Sequence, residues 1–181
     1  MIDNHGWYKQ ARHVPSPFFD QRSDEKDISL LVIHNISLPP GEFGGPYIEQ
    51  FFTGKLNPEE HPFFNVIHKM GVSAHCLIRR DGEVVQFVPF NARAWHAGAS
   101  SFSGREKCND YSIGIELEGS DFVAYTDEQY HALAVLTQQL QQCYPQITLP
   151  RITGHQYIAP LRKTDPGLVF DWVRYRTMLE K

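Results

Sequence analysis

The feature that most constrains the fold is a short, nearly continuous apolar run, Ile28 to Ile33 (ISLLVI). Its length is typical of a strand, and an unbroken apolar run is typical of a strand that is buried on both faces of a sheet. The polar pair His34-Asn35 follows directly. The run therefore predicts a central strand with a histidine at its carboxyl end, where α/β sheets usually bind ligands.

Two more segments carry strand patterns. Cys76 to Phe87 contains two strand-like runs around Asp81-Gly82, which predicts a β-hairpin. Tyr111 to Leu117 alternates apolar and polar residues, so the isoleucines face one side of a sheet and Glu116 faces the other.

Helical patterns lie between and after these strands. Thr126 to Tyr144 repeats apolar residues at helical spacing, begins with a capping box formed by Thr126 and Gln129, and ends before a proline. Residues 46–52 and 170–179 predict shorter helices. Strands interspersed with helices, together with a hairpin, predict an α/β fold with a mixed central β-sheet flanked by helices.

Length and composition narrow the class of protein. The 181 residues suit one domain, which we expect to span residues 1–181. The net charge of −4 gives no reason to expect a nucleic-acid partner or an anionic membrane surface. No run approaches the ~18 apolar residues of a membrane span. The first residues lack a signal-peptide pattern, and the three cysteines form no CxxC, so we expect a cytoplasmic protein without a disulfide framework.

Candidate metal ligands occur at two places that are far apart in the chain. His34 follows the buried strand, and His155 and Asp165 lie ten positions apart in a segment that contains two prolines. Two imidazoles and one carboxylate would leave the fourth position of a tetrahedral zinc ion open, as in catalytic zinc sites. The spacing leaves alternatives open. His34 could instead be a capping or core histidine, and other histidines could serve as ligands, namely His61, His68, His75 and His96.

Two further residues could take part in the chemistry. Glu116 lies on the polar face of its strand, although Glu118 lies on the same face and the pattern does not choose between them. An exposed strand carboxylate is the alternative interpretation of Glu116. Lys163 belongs to a basic pair that would ordinarily be solvated, but it lies two residues before a proposed metal ligand.

Six segments, in order and spanning most of the chain, resemble a known family. The chain resembles the type 2 N-acetylmuramoyl-L-alanine amidases, and within them the enzymes that process 1,6-anhydromuramyl peptides in cytoplasmic cell-wall recycling. The matching segments are VPSP (14–17), LLVIHNISLPPGEFGGP (30–46), VSAHCLIRRDGEVVQFVPF (72–90), RAWHAG (93–98), CNDYSIGIELEG (108–119) and GHQYIAPLRKTDPG (154–167).

This resemblance implies both a fold and a reaction. The fold would be related to peptidoglycan recognition proteins. One zinc ion per chain would be held by His34, His155 and Asp165, with Glu116 and Lys163 as the catalytic pair. The enzyme would hydrolyse the amide between the lactyl carboxyl of N-acetylmuramic acid and L-alanine in small muropeptides. We expect it to act as a monomer, without nucleic acid or membrane as partner.

Five further residues are candidates for contact with the substrate. Asn35 adjoins a proposed ligand, and Trp95 with His96 could form an aromatic wall for a sugar face. Lys107 and Arg162 could meet the anionic groups of the peptide stem. Core packing is the alternative interpretation of Trp95, and surface solvation is the alternative for the two basic residues.

Three other functions compete with this interpretation. An exported amidase acting on intact cell wall would carry the same motifs, but we find no export signal. A peptidoglycan receptor without catalysis would keep the fold but lose a zinc ligand, whereas all five positions are occupied here. A zinc hydrolase of unrelated substrate is permitted by the chemistry, and only the resemblance argues against it.

Overall fold

A mixed β-sheet lies at the centre of the computed structural model, which describes residues 1–180. Within these residues the sheet has six strands. The strands of residues 1–180 are β1 (Arg12–His13), β2 (Phe19–Gln21), β3 (Leu30–Ile36), β4 (Cys76–Ile78), β5 (Val84–Gln86), β6 (Ala92–Ala94), β7 (Ser101–Phe102), β8 (Arg105–Glu106), β9 (Ser112–Glu118) and β10 (Ile152–Gly154). The order across the main sheet is β1-β5-β4-β9-β3-β10.

Strand direction gives the sheet its mixed character. The neighbours β4, β9, β3 and β10 run parallel to one another. The β4–β5 pair is antiparallel and forms the predicted hairpin, whose turn contains Gly82 at φ 86°. Two smaller two-stranded sheets are formed by β2 with β6 and by β7 with β8. The expected mixed central sheet flanked by helices is therefore confirmed.

Of the α-helices in residues 1–180, those near 46–52, 126–144 and 170–179 lie close to their predicted positions, whereas those at 62–67 and 155–158 were not predicted. They are α1 (Tyr47–Phe52), α2 (Pro62–Ile67), α3 (Asp127–Cys143), α4 (His155–Ile158) and α5 (Trp172–Leu179). Both halves of the predicted capping box are present, since Thr126 accepts a hydrogen bond from the backbone of Gln129 and the Gln129 side chain accepts one from the backbone of Thr126. Helix α5 begins two residues later than predicted because Asp171 caps it.

Strand β3 extends further than its apolar run predicted. It pairs in parallel with β9 over its whole length, from Leu30 opposite Ser112 to Ile36 opposite Glu118. His34 therefore lies inside the strand rather than after it. Strand β9 continues to pair with β3 beyond the apolar residues. The apolar run alone could not predict where this pairing ends.

Alternation along β3 sends its side chains to two different cores. Leu31 and Ile33 pack with α3 and α5 in the largest apolar cluster. Leu30 and Val32 belong to a smaller cluster on the opposite face, where His34 also points by the same alternation. A third cluster contains buried side chains of α1 and α2 and of the β4–β5 hairpin. Among the helices of residues 1–180, none is long and apolar enough to cross a membrane.

Candidate active site

The carboxyl-terminal halves of three adjacent parallel strands converge on one end of the sheet. His34 lies on β3, directly opposite Glu116 of β9 in the strand register. His155 is the first residue of α4 and follows β10 without a connecting loop. The parallel ladder therefore brings residues 34, 116 and 155 of the sequence to one place, where α/β sheets commonly bind ligands.

Asp165 completes a cluster with the two histidines. His34 Nδ1 lies 2.9 Å from His155 Nδ1 and 3.1 Å from Asp165 Oδ2, and His155 Nδ1 lies 3.0 Å from the same oxygen. The three atoms thus form a nearly equilateral triangle. Ligand atoms of a tetrahedral zinc site are ~3.3 Å apart when each bond is 2.0–2.1 Å. This cluster could hold a metal ion, and its atoms are spaced close to what zinc requires.

A loop returns Asp165 to the base of α4. The backbone N–H of Gln156 donates to the carbonyl of Asp165 at 2.9 Å, which fixes the far end of the loop beside His155. At the near end, the backbone N–H of Lys163 donates to the carbonyl of Ala159. Backbone hydrogen bonds at both ends of the loop therefore hold Asp165 beside His155, although the two residues lie ten positions apart in the sequence.

Burial and hydrogen bonding set the protonation of His34 and Asp165. His34 is 1% exposed, and burial lowers its pKa to about 4 despite the hydrogen bond with Asp165. For Asp165, burial would raise the pKa, but hydrogen bonds from His155 and His34 hold it well below its usual range. His34 is therefore a neutral imidazole beside the Asp165 carboxylate, and a metal ion requires its ligands in these protonation states.

The alternative histidines take other positions. His75 accepts a hydrogen bond from the backbone N–H of Gly114 at Nδ1, and its Nε2 lies 3.1 Å from the carbonyl of Ala92, so it serves the core. His61 and His68 flank α2, where each bonds to the helix backbone. The structure thus brings together His34, His155 and Asp165, and not these three alternatives.

Glu116 and Glu118 differ in how their carboxylates are used. Glu118 is 1% exposed and accepts hydrogen bonds from the backbone N–H groups of Gly44 and Arg80, so it anchors a loop. Glu116 is 9% exposed, and none of residues 1–180 forms a hydrogen bond with its Oε2. Burial and the charge of Asp165 raise the pKa of Glu116 well above its usual value, against the opposing effect of Lys163. A carboxyl group with these properties suits proton transfer.

A cavity of about 360 Å³ opens over the cluster and Glu116. One side of this cavity is lined by apolar side chains from the loop after β3, from α1 and from the α2 region. The sequence did not predict this apolar lining. The pattern of residues 46–52 predicted helix α1 but not which surface it covers, and helix α2 was not predicted. The apolar lining residues are Leu38, Phe51, Phe52, Phe63, Ile67 and Met70.

The candidate substrate contacts divide between this cavity and its surroundings. Asn35, Trp95 and His96 line the cavity, as does the catalytic candidate Lys163. Trp95 also donates from Nε1 to Asp20 at 2.7 Å, so its ring is held in place.

Lys107 and Arg162 lie outside the main cavity. Both line a neighbouring cleft. Arg162 donates to the backbone carbonyls of Ala97 and Ala99 at 2.7 and 2.6 Å. Contact with substrate stays a prediction for all five residues. The guanidinium of Arg162 also binds the backbone of residues 97–99 through these hydrogen bonds.

Comparison with known proteins identifies relatives over the whole chain. A family model described as N-acetylmuramoyl-L-alanine amidase matches residues 24–168. The 1,6-anhydro-N-acetylmuramyl-L-alanine amidase AmpD of Escherichia coli (strain K12) is 60% identical over 181 residues, covering 100% of this chain and 98% of that protein.

Solved structures agree with this result. The crystal structure of a selenomethionine derivative of AmpD matches with a TM-score of 0.95 and 60% identity, covering 99% of both chains. The amidase AmiD from Escherichia coli, solved with the substrate anhydro-N-acetylmuramic acid-L-Ala-D-γ-Glu-L-Lys, matches with a TM-score of 0.62 and 25% identity, covering 98% of this chain and 65% of that one. The expected family is confirmed: this chain belongs to the N-acetylmuramoyl-L-alanine amidases and is an enzyme of that class.

Proposed function

We propose that this enzyme uses zinc to hydrolyse the amide between 1,6-anhydro-N-acetylmuramic acid and L-alanine in small muropeptides, during cytoplasmic cell-wall recycling. The observation that carries the zinc proposal is the triangle of donor atoms from His34, His155 and Asp165, with sides of 2.9 to 3.1 Å. Two nitrogens and one carboxylate oxygen form a donor set that zinc favours, and they leave a coordination position open.

The chain's own residues would carry the proton transfers. Bound zinc supplies Lewis acidity, which polarises the scissile carbonyl and acidifies the attacking water. Glu116, whose Oε2 has no hydrogen-bond partner within residues 1–180, accepts the proton of that water. It then delivers the proton to the nitrogen of L-alanine as the carbon–nitrogen bond breaks, so the products are a carboxylic acid and a free amine.

Lys163 would stabilise the charge that develops on the substrate. It lines the same cavity as Glu116 and the three donor residues. As the carbonyl carbon becomes tetrahedral, its oxygen gains negative charge, and the ammonium group of Lys163 donates a hydrogen bond to it. A donor in this role is worth about 10²–10³ in rate.

The substrate class rests on the relatives. The E. coli protein that is 60% identical over the full length is a 1,6-anhydro-N-acetylmuramyl-L-alanine amidase, and AmiD was solved with an anhydromuramyl peptide. A cavity of about 360 Å³ is in the size range of sites for small ligands. These features favour a soluble fragment over an intact cell wall.

The test measures peptide release from purified anhydromuropeptide by chromatography and mass spectrometry. Metal-stripped protein, zinc-restored protein and zinc-restored Glu116→Gln protein are compared. We expect an intact L-alanyl peptide from the zinc-restored protein and release at least ~10²-fold slower from the other two. Faster hydrolysis of intact sacculi than of the fragment would instead support an exported amidase. Tight binding without release would support a receptor.

A further inference from the structure

The segment His96-Ala97 contacts both histidines of the donor cluster (His34, His155 and Asp165). It does so through the ring nitrogens that point away from the cluster. His34 Nε2, the nitrogen that points away from the cluster, lies 2.9 Å from His96 Nδ1. His155 Nε2, which also points away, lies 3.2 Å from the backbone carbonyl oxygen of Ala97. Two adjacent residues therefore supply the second hydrogen-bond partner of both imidazoles.

The side chain of Asn109 holds this segment in place. Its Oδ1 accepts hydrogen bonds from the backbone N–H groups of His96 and Ala97, at 3.1 and 2.8 Å. Asn109 is itself 7% exposed, and its backbone carbonyl accepts a hydrogen bond from Arg22. A single buried amide oxygen thus fixes the backbone that contacts both histidines.

The His96 ring packs against strand β9. His96 Nε2 lies 3.1 Å from Ser112 Oγ. A Cβ atom at Gly114 would lie only 2.4 Å from Cγ and Nδ1 of His96, so only glycine leaves room for the ring there. Because both ring nitrogens of His96 have partners, the hydrogen-bonding edge of this residue serves His34 and not a sugar.

These contacts specify one hydrogen on each ring. With Nδ1 of each cluster histidine facing the metal position, the hydrogen of the neutral ring must lie on Nε2. His34 then donates to His96 Nδ1, His96 donates from Nε2 to Ser112, and His155 donates to Ala97. An outer partner of this kind orients a metal-binding imidazole and fixes its tautomer.

We propose that His96 and the Ala97 carbonyl, held by Asn109, are positioning groups that aim both imidazoles at the zinc ion. This inference rests on the proposed zinc function. It assigns a role to the RAWHAG segment that differs from the aromatic wall predicted for His96. It also makes Asn109, which the sequence pattern did not single out, a determinant of metal affinity.

The first test compares zinc affinity by competition with a chelating dye in wild type, His96→Ala, His96→Asn and His131→Ala. His96→Ala removes the acceptor, whereas His96→Asn places an amide oxygen near the former Nδ1 position. His131 is an exposed histidine of α3 and serves as the matched control. We expect His96→Ala to weaken zinc binding about 10–100-fold. His96→Asn should recover most of this loss, and His131→Ala should match wild type.

The results separate this inference from the proposed function. Wild-type protein that binds no zinc would overturn the proposed function and this inference together. Zinc binding by wild type with unchanged affinity in His96→Ala would overturn the inference alone. Equal losses in His96→Ala and His96→Asn would also overturn it, because they would indicate a role in packing rather than in hydrogen bonding.

A second pair of variants tests the anchor and remains informative if His96→Ala fails to fold. Asn109→Asp keeps an oxygen that can accept both backbone N–H groups, whereas Asn109→Ala removes it. We expect Asn109→Ala to weaken zinc binding and to alter the visible absorption spectrum of the cobalt-substituted protein, which reports ligand geometry. Asn109→Asp should stay closer to wild type in both measurements. Identical behaviour of the two variants would contradict the anchoring role.

Discussion

The two faces of the central sheet are built from the same strands but serve different purposes. Towards α3 and α5, strands β3 and β9 present leucine and isoleucine side chains that join the largest core cluster. Towards the other face, β3 presents His34 and β9 presents Glu116, both buried. The comparison teaches that alternate residues of one strand can divide stability from chemistry. Each face can therefore be disturbed separately.

The largest expected effect comes from Glu116→Gln on the polar face. Losing the proposed proton acceptor should reduce turnover by about 10²–10⁴-fold. The metal-free protein should become more stable at pH 7, because burial raises the pKa of Glu116 and an ionised carboxylate there opposes folding. Peptide release and chemical unfolding measure the two effects.

Glu118→Gln is the matched control for that substitution. Glu118 is buried two residues further along β9, but it anchors Gly44 and Arg80 through hydrogen bonds. We expect lower stability and most of the wild-type turnover. The assignment of chemistry to this face of the sheet would be wrong if the Glu116→Gln protein were less stable than wild type and still active.

On the apolar face, Leu136→Ala should lower the free energy of unfolding by about 2–5 kcal/mol through loss of burial and creation of a cavity. Leu136 is fully buried in the cluster that joins α3 to the sheet. Turnover well below the melting temperature should stay at the wild-type value. Val173→Ala, at an exposed position of α5, should change neither property. A large drop in turnover for Leu136→Ala would show that the faces are coupled.

The polar face should also make stability depend on pH. Burial and the nearby charge of Arg22 lower the pKa of His75 to about 3, whereas an unfolded histidine titrates near 6.5. Between these values the unfolded chain binds a proton that the folded one does not. Stability should therefore fall as the pH drops from 6.5 toward 3, by up to ~1.4 kcal/mol per pH unit for this residue.

Urea unfolding of metal-free protein at several pH values measures that slope. His75→Gln should make it shallower by about one proton. Leu136→Ala should lower the whole curve without changing its slope, because no titrating group is lost. Equal slopes in wild type and His75→Gln would refute the assignment of this pH dependence to His75.

The smallest expected effect concerns the start of α3. Thr126→Ala removes the capping hydrogen bond to Gln129 and should cost about 1 kcal/mol of stability, without loss of turnover. Thr148 also precedes a helical turn, but its side chain makes no capping hydrogen bond. Thr148→Ala should accordingly leave the melting temperature unchanged. Similar effects of both substitutions would contradict the capping explanation.

Local signals in the sequence predicted most of the apolar face. The apolar run before His34, the alternation of β9 and the capping box of α3 each depend on neighbouring residues, and the structure contains all three. The end of β3 was not predictable in this way. It continues to Ile36 because β9 pairs with it there, and pairing between distant segments leaves no local pattern.

The polar face was harder to predict because its contacts join distant segments. Spacing alone did not separate His34 and His155 from the other histidines, and only the family resemblance selected them. Their outer partners were less visible still, since His96 was predicted to line a sugar site and Asn109 carried no signal. An asparagine that accepts two backbone hydrogen bonds from a segment twelve residues away is recognisable only once the chain is folded.

The register of β3 and β9 also bears on how this enzyme could be redesigned. Because the ladder places His34 opposite Glu116, their separation is set by backbone geometry and not by the loops around the cavity. Segments 37–46 and 61–72 could then be exchanged for those of other amidases, as in loop grafting, while His34 and Glu116 keep their spacing. A library confined to these loops would explore new substrate preferences on a fixed chemical centre.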